Sequence, residues 1–452
     1  MITPPGEGGI GAVRIAGPEA SAIVEKIFCP AGDEKEPHRP FHMYYGHIMD
    51  KRGDVIDEVT LVEMPEGKSY TGQRQAEIFC HGGQFVLRRI LREILGYGIR
   101  SAEPGEFTRR AFLSGRIDLA RAEAVADLIA SKTEYAYSTA RKNLLGLLTE
   151  GVDTIRDKSI NLLAEIEASV DYPEEGIEAT TKDKMLAELD HIIKEAKRLI
   201  DTYRSGKIIK EGFRIAIAGR PNAGKSSLFN LLLNQNRAIV APIPGTTRDY
   251  LTEWIDLEGI AVSITDTAGL RKSSGIIERA GQKSARGILN NSDLILWLID
   301  ITRKGWQKEA VKDLKKMPQK IDILLLYNKV DKVKDISKVP LFSGLDATAG
   351  MAISCLTKRG LEHLRKELIR RINAGMPDLT DQLVVTSERH KRKLELALKF
   401  FKRARIGIGK TLSPELIAFE MRQGINEIDE ITGRIYNEEI LDRIFSRFCI
   451  GK

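Results

Sequence analysis

The stretch "GRPNAGKSS", residues 219–227, follows the apolar run "FRIAIA" and precedes the helical pattern "LFNLLLNQ". A strand, a glycine-rich loop and a helix in that order are the context that a G-x-x-x-x-G-K-S phosphate loop requires. Gly219, Gly224, Lys225 and Ser226 hold its defining positions. The unpaired N–H groups and the dipole at the start of the helix then let Asn222, Ala223, Gly224, Lys225, Ser226 and Ser227 cradle phosphates. Lys225 is placed to reach the β- and γ-phosphates and Ser226 to hold magnesium. A chance glycine-rich turn would not come with both flanking patterns.

Downstream, strand-like runs alternate with helical ones: "AVSITD", "LILWLID", "DILLLYN" and "MAISC". That alternation predicts an α/β domain. "NKVD", residues 328–331, ends one such run and selects the base. The Asp331 carboxylate accepts hydrogen bonds from guanine N1–H and the exocyclic amine, and adenine offers neither donor in that geometry. Asn328 and the Lys329 stem complete the base pocket, with Ser354, Cys355 and Leu356 as a third base-contacting loop. "IPGTTRD" supplies Gly245, Thr246 and Thr247, one of whose threonines binds magnesium and orders the loop around a γ-phosphate. From physics alone the register of the two threonines stays open. "TDTAGLRK" supplies Asp266, the second magnesium-side residue, then Thr267, Ala268 and Gly269, whose backbone N–H faces the γ-phosphate.

The next residue, Leu270, occupies the place of the water-orienting glutamine of Ras-type hydrolases and has no polar group. The water and the missing charge must be handled elsewhere. Asn222 carries an amide oxygen able to ligate a monovalent cation beside the phosphates, and Glu278 follows the stretch "RKSSGII". Arg248 and Arg271 are further candidates. From the residues alone, each of these side chains reads more readily as a solvated polar residue.

At 452 residues the chain is expected to form two or three domains. It is 42% hydrophobic and 29% charged with a mean hydropathy of −0.22, a globular composition. No apolar run suits a membrane span and no secretory leader is evident, so a cytoplasmic protein without membrane association is expected. Cys29, Cys80, Cys355 and Cys449 form no Cys-x-x-Cys pair, which argues against zinc and for reduced thiols. A net charge of +7 suits a nucleic-acid partner or an ordinary basic protein equally. Residues 1–116 mix short β-rich runs with Gly/Pro turns and read as α+β. From about Ile117 the pattern is helical: Leu144, Leu148, Val152, Ile155, Leu163, Ile166 and Val170 suggest one helix face, ended by Tyr172-Pro173. Long helical patterns return after about Ala374. The expected architecture is therefore multidomain. An α+β N-terminal domain (1–116) is followed by an all-α discontinuous helical domain (117–210 and 374–452). An α/β phosphate-loop GTPase domain of Ras-like type (211–373) is inserted within the latter.

Together "PPGEGGIGAVRIAG", "SYTG", "HGG", "PGEFTRRAFLSGRIDLARAEAVADLI", "GRPNAGKSSLFNLL", "PGTTRD", "DTAGLR", "NKVD" and the terminal "ITG…LDRIFSRFCIGK" resemble the MnmE (TrmE) tRNA-modification GTPases. The resemblance spans residues 3–452. It implies a folate-binding N-terminal domain that dimerises, and a partner, the FAD protein MnmG. With that partner the chain would modify carbon 5 of the wobble uridine of certain tRNAs. It also implies potassium activation: Asn222 matches the potassium asparagine, and Ala241, Ile243 and Thr246 fall in the potassium-enclosing loop. Thr247 matches the magnesium threonine and Glu278 the water-orienting glutamate. Arg14, Glu77, Arg116 and Lys452 match the contacts to a tetrahydrofolate derivative, 5-formyl or 5,10-methylene. Cys449 falls in the terminal motif, as a modification-site thiol or a structural one. The chain departs from the family at Gln73-Arg74, where Glu-Asp is usual, and at Arg116, where lysine is usual. The strand before "TPPG" is also shorter. A GTP-dependent switch for RNA or ribosome assembly, without modification chemistry, is the alternative.

Overall fold

The computed structural model describes residues 1–32, 39–171, 179–235, 237–238, 251–267, 286–315, 317, 321–333, 350–374, 383–410 and 412–452. These form two compact units. One comprises Met1–Ala126, Asn143–Ile193 and Leu396–Lys452, the other Asp127–Lys142 and Lys194–Glu395. The helical stretches expected from the sequence are thus shared between the two.

The first unit starts with β1 (Gly8–Ala16), α1 (Ala20–Ile27), β2 (Phe28–Pro30), β3 (Met43–Met49), β4 (Val55–Met64), β5 (Gln75–Gly82) and α2 (Gln84–Leu95). The strands form an antiparallel sheet of order β1-β5-β4-β3-β2. Period-two alternation sends Val13, Ile15, Leu61 and Ile78 to one face, where Ile23 and Val24 of α1 and Ile90 and Ile94 of α2 bury them. α3 (Glu106–Leu113), α4 (Leu119–Ala130), α5 (Glu134–Leu145) and α6 (Leu147–Asp171) follow. The apolar stripe of α6 buries Leu148, Val152, Ile155, Leu162 and Ile166. Two expectations are corrected here. Leu162 carries the stripe and Leu163 is only half-buried, because seven residues after Ile155 restores the same helical face. Leu144 belongs to the preceding helix, since Gly146 at φ 104° breaks the run. The rest of the helical part is α7 (Ala179–Asp201), α8 (Tyr203–Glu211) and, after the α/β region, α12 (Glu388–Gly409), α13 (Pro414–Thr432) and α14 (Glu438–Phe445).

Between α8 and α12 lie β6 (Phe213–Gly219), α9 (Lys225–Gln235), β7 (Arg237–Ala238), β8 (Leu251–Leu257), β9 (Ile260–Asp266), β10 (Leu294–Asp300), α10 (Trp306–Leu314), β11 (Asp322–Asn328), β12 (Met351–Ala352) and α11 (Leu361–Asn373). All five strand-like runs noted in the sequence are strands. The sheet order is β12-β11-β10-β6-β9-β8-β7, parallel from β12 to β9 and antiparallel beyond. β10 is apolar at almost every position because both its faces are covered. Leu294, Leu296 and Leu298 join one core, while Ile295, Trp297 and Ile299 join the other. The fold is therefore α/β here and α+β with helices elsewhere, as expected.

Candidate functional site

The carboxyl ends of β6, β9, β10 and β11 form one edge of the parallel sheet, the edge where open α/β sheets bind ligands. The phosphate loop leaves β6 there. Asn222 sits in the left-handed region at φ 63° and Gly224 at φ 103°. A Cβ on Gly224 would lie 2.2 Å from Asn328 Nδ2, so only glycine allows the loop this close to the base-side strand. Lys225 is buried and its Nζ donates to Arg220 O at 2.9 Å, curling over the loop. Ser226 Oγ donates to Asp266 Oδ2 at 2.8 Å, and Asp266 is 1% exposed. A hydroxyl and a carboxylate at the mouth of a phosphate loop are hard oxygen donors suited to magnesium. Thr267 Oγ1 donates to Ile217 O at 2.9 Å and pins the end of β9 to β6.

The base side is also assembled. Asn328 Nδ2 donates to Ala223 O at 2.7 Å and its Oδ1 accepts from Cys355 N at 3.1 Å. It is thus the strut joining the phosphate loop to the third loop. Ser354 Oγ donates to Asp331 Oδ1 at 2.5 Å and accepts from Thr357 N at 3.1 Å. Lys329, at φ 70°, pairs its Nζ with Asp300 Oδ2 at 2.6 Å. Burial pushes the Asp300 carboxyl up, but Lys329 and two donors of Thr302 outweigh it and hold it below the usual range. Burial raises the Cys355 thiol to about 11, so it stays protonated. Leu356 is exposed. Ala241, Ile243, Gly245, Thr246, Thr247, Arg248, Ala268, Gly269, Leu270, Arg271 and Glu278 lie outside the described residues.

A second constellation lies in the first unit. Arg14 and Glu77 are cross-strand partners on β1 and β5, joined through Arg14 Nε at 2.9 Å and Nη2 at 2.8 Å to Glu77 Oε1. Gln75 Nε2 donates to the same oxygen at 2.9 Å. The Arg14 guanidinium also stands 5.3 Å from the ring centroids of both Tyr70 and Phe107. Arg116 Nη1 donates to Gly67 O at 2.7 Å, on the loop that carries Tyr70. Lys452 O accepts from Phe107 N at 3.1 Å. Only Arg14 and Glu77 touch directly; Arg116 and Lys452 are linked to them through the neighbourhoods of Tyr70 and Phe107. The pair partly neutralises itself, with Glu77 Oε1 taking both the arginine and the glutamine donors. Cys449 is exposed, and Pro104 bridges Ile450, so the terminal motif is stitched to the start of α3.

Sequence reasoning missed several participants. Asp300 had a detectable signal, a carboxylate ending an apolar run at the ligand edge of the sheet. Tyr70 and Phe107 had none, since nothing local marks two rings that meet Arg14 from separate segments. Gln73 has a structural partner: its Oε1 accepts from Arg110 Nη1 at 2.8 Å.

The family description "MnmE helical domain" fits residues 119–449, and "GTP-binding protein TrmE N-terminus" fits residues 1–116. The tRNA modification GTPase MnmE of Clostridioides difficile is 40% identical over 100% of this chain and 98% of its own length. The protein of the same name from Carboxydothermus hydrogenoformans is likewise 40% identical, covering 100% of this chain and 98% of its own. Among solved structures, the G domain of the T. maritima FeoB iron transporter covers 35% of this chain and 98% of its own at 25% identity. Its TM-score is 0.27. No helix among the described residues is long and apolar enough to cross a membrane. Matched by these descriptions and by relatives 40% identical over its whole length, the chain belongs to the MnmE family of tRNA modification GTPases.

Proposed function

We propose that the chain is a potassium-stimulated GTPase that, with MnmG, modifies carbon 5 of the wobble uridine of certain tRNAs, using a one-carbon unit from a tetrahydrofolate derivative. The observation that carries the GTPase part is the Ser226–Asp266 hydrogen bond beside the Asn328 strut, which supports a magnesium-dependent guanine-nucleotide site. In this reading Ser226 and Thr247 hold magnesium and Lys225 neutralises the β- and γ-phosphates. Glu278 orients the water that attacks the γ-phosphorus as its bond to the bridging oxygen breaks. Asn222, with Ala241, Ile243 and Thr246, holds potassium, whose charge replaces that of an arginine finger. The three sequence domains divide the labour: 1–116 binds folate through Arg14, Glu77, Arg116 and Lys452, 211–373 hydrolyses GTP, and the helical parts link them. Homodimerisation through the first domain is supported by Met43 and Tyr45, which are exposed at 58% and 54% on the sheet face away from α1 and α2. A cytoplasmic location follows from the tRNA substrate.

Two experiments test this reading. GTP turnover by the full chain is expected to be at least about tenfold faster in potassium than in sodium, since the cation stabilises charge in the transition state. Equal rates would remove the cation role of Asn222. Glu278→Ala is expected to leave GTP binding intact and reduce turnover by roughly 10²- to 10³-fold, the scale of losing a positioned proton-handling group. Turnover within threefold of the parent would assign the water to another residue.

A further inference from the structure

Within the nucleotide-binding unit, separate segments converge on the side chain of Trp254 in β8. Lys132 Nζ stands 4.3 Å from the centroid of its ring. A Cβ added to Gly212, at the junction of α8 and β6, would come within 2.5 Å of its Cζ3, so the ring lies on the backbone at that junction. At the turn of the β8–β9 hairpin, a Cβ on Gly259 would reach Tyr135 Cδ2 at 2.6 Å, so the Tyr135 ring lies on the turn. Close by in the chain, Asp127 takes Lys210 Nζ at 2.7 Å and Thr386 Oγ1 at 3.5 Å. Residues 127–135 therefore grip the hairpin and both places where the chain enters and leaves the α/β region. Burial lowers the Lys132 ammonium, because desolvation disfavours its charged form.

The hairpin has leverage. Its first strand starts just after the segment that carries Thr246 and Thr247, and its second ends on Asp266, whose carboxylate accepts from Ser226. A continuous ladder from Leu251↔Asp266 to Leu257↔Ile260 makes the two strands one ribbon. The ribbon thus runs without a break from the nucleotide end to the turn under Tyr135, with Trp254 along it. Residues Asp127–Lys142 belong to this unit, while the chain on both sides of them belongs to the other.

We propose that Lys132, Tyr135 and Trp254 are positioning residues of a relay in which the β8–β9 ribbon reports the nucleotide state to residues 127–142. The proposal rests on the GTPase reading of the site. It needs neither folate, tRNA nor MnmG.

The test is hydrogen exchange of peptides covering 127–142 in the full chain, loaded with GDP or with a non-hydrolysable GTP analogue and magnesium. A fluorescent guanine nucleotide measures binding separately. The expected result is a difference in exchange rate of about threefold or more between the two states, because local opening reports the contacts that hold a segment. Lys132→Met and Trp254→Leu should abolish that difference while nucleotide affinity stays within about twofold of the parent, and Trp254→Phe, which keeps an aromatic face, should restore it. Identical exchange in both states with nucleotide bound would overturn the relay, as would a difference that survives both variants. Failure of either nucleotide to bind would overturn the site reading beneath it.

Discussion

Asp331→Asn is expected to weaken GTP binding by about 10³-fold, because the carboxylate proposed to read the base becomes in part a donor. In the structure Ser354, fully buried, donates to Asp331 Oδ1 at 2.5 Å. That hydrogen bond aims the carboxylate, and Asp331 Oδ2 takes no hydrogen bond from the described residues. Guanine presents N1–H and an exocyclic amine side by side, two donors for one carboxylate. Asparagine offers a single oxygen and sets its own NH₂ against one of those donors. Two charge-assisted hydrogen bonds at roughly 1.5 to 3 kcal/mol each are at stake, so a loss of about 4 kcal/mol is expected. Xanthine carries a carbonyl where guanine carries the amine, so the variant should regain affinity for xanthosine diphosphate. Titration with fluorescent guanine and xanthine nucleotides measures both effects. A guanine Kd within about threefold of the parent would mean that the base is read elsewhere, since a tenfold change is the least that one lost hydrogen bond to a charge should give.

The nucleotide site was legible because its chemistry is local. A phosphate loop is nine consecutive residues between a strand and a helix, and each strand of the α/β sheet is a continuous apolar run covered on both faces. What stayed hidden needed contacts across long separations. Asn328 was expected at the base, yet its two hydrogen bonds reach Ala223 and Cys355, 105 and 27 residues away. Arg14 and Glu77 were singled out as a cation and an anion for one ligand. That they pair with each other follows from the β1–β5 register, which sequence alone does not set. The α6 stripe shows the same limit at small scale: with two adjacent leucines, periodicity alone did not choose Leu162 over Leu163.

Glu106→Gln is expected to destabilise the first unit by about 2 to 3 kcal/mol at neutral pH, with a pH dependence that identifies the cause. Glu106 opens α3 and is 8% exposed. Both its oxygens are used: Oε1 accepts from Arg100 Nη2 at 2.7 Å and Arg110 Nη2 at 2.5 Å, and Oε2 from Arg100 Nη1 and Glu103 N, both at 2.8 Å. Burial pushes its carboxyl up, but these donors outweigh it and bring it from 4.5 to about 2. The whole shift corresponds to roughly 3 kcal/mol; the Arg100 side chain is 65% exposed, so part of that is screened. Because the folded value lies below the unfolded one, the stabilisation is complete above about 4.5 and is lost as pH falls toward about 2. The amide keeps the shape but not the charge, and it turns an NH₂ toward guanidinium donors. The difference between parent and variant should therefore be largest at pH 7, fall below about half by pH 3 and nearly vanish by pH 2. Amide exchange of α3 reads this locally, which matters because a chain of two units need not unfold in one step. A gap that is the same at pH 7 and pH 3 would show that Glu106 acts through packing alone. Arg110 also donates to Gln73, so the Glu106 carboxylate and the Gln73 amide oxygen share one guanidinium.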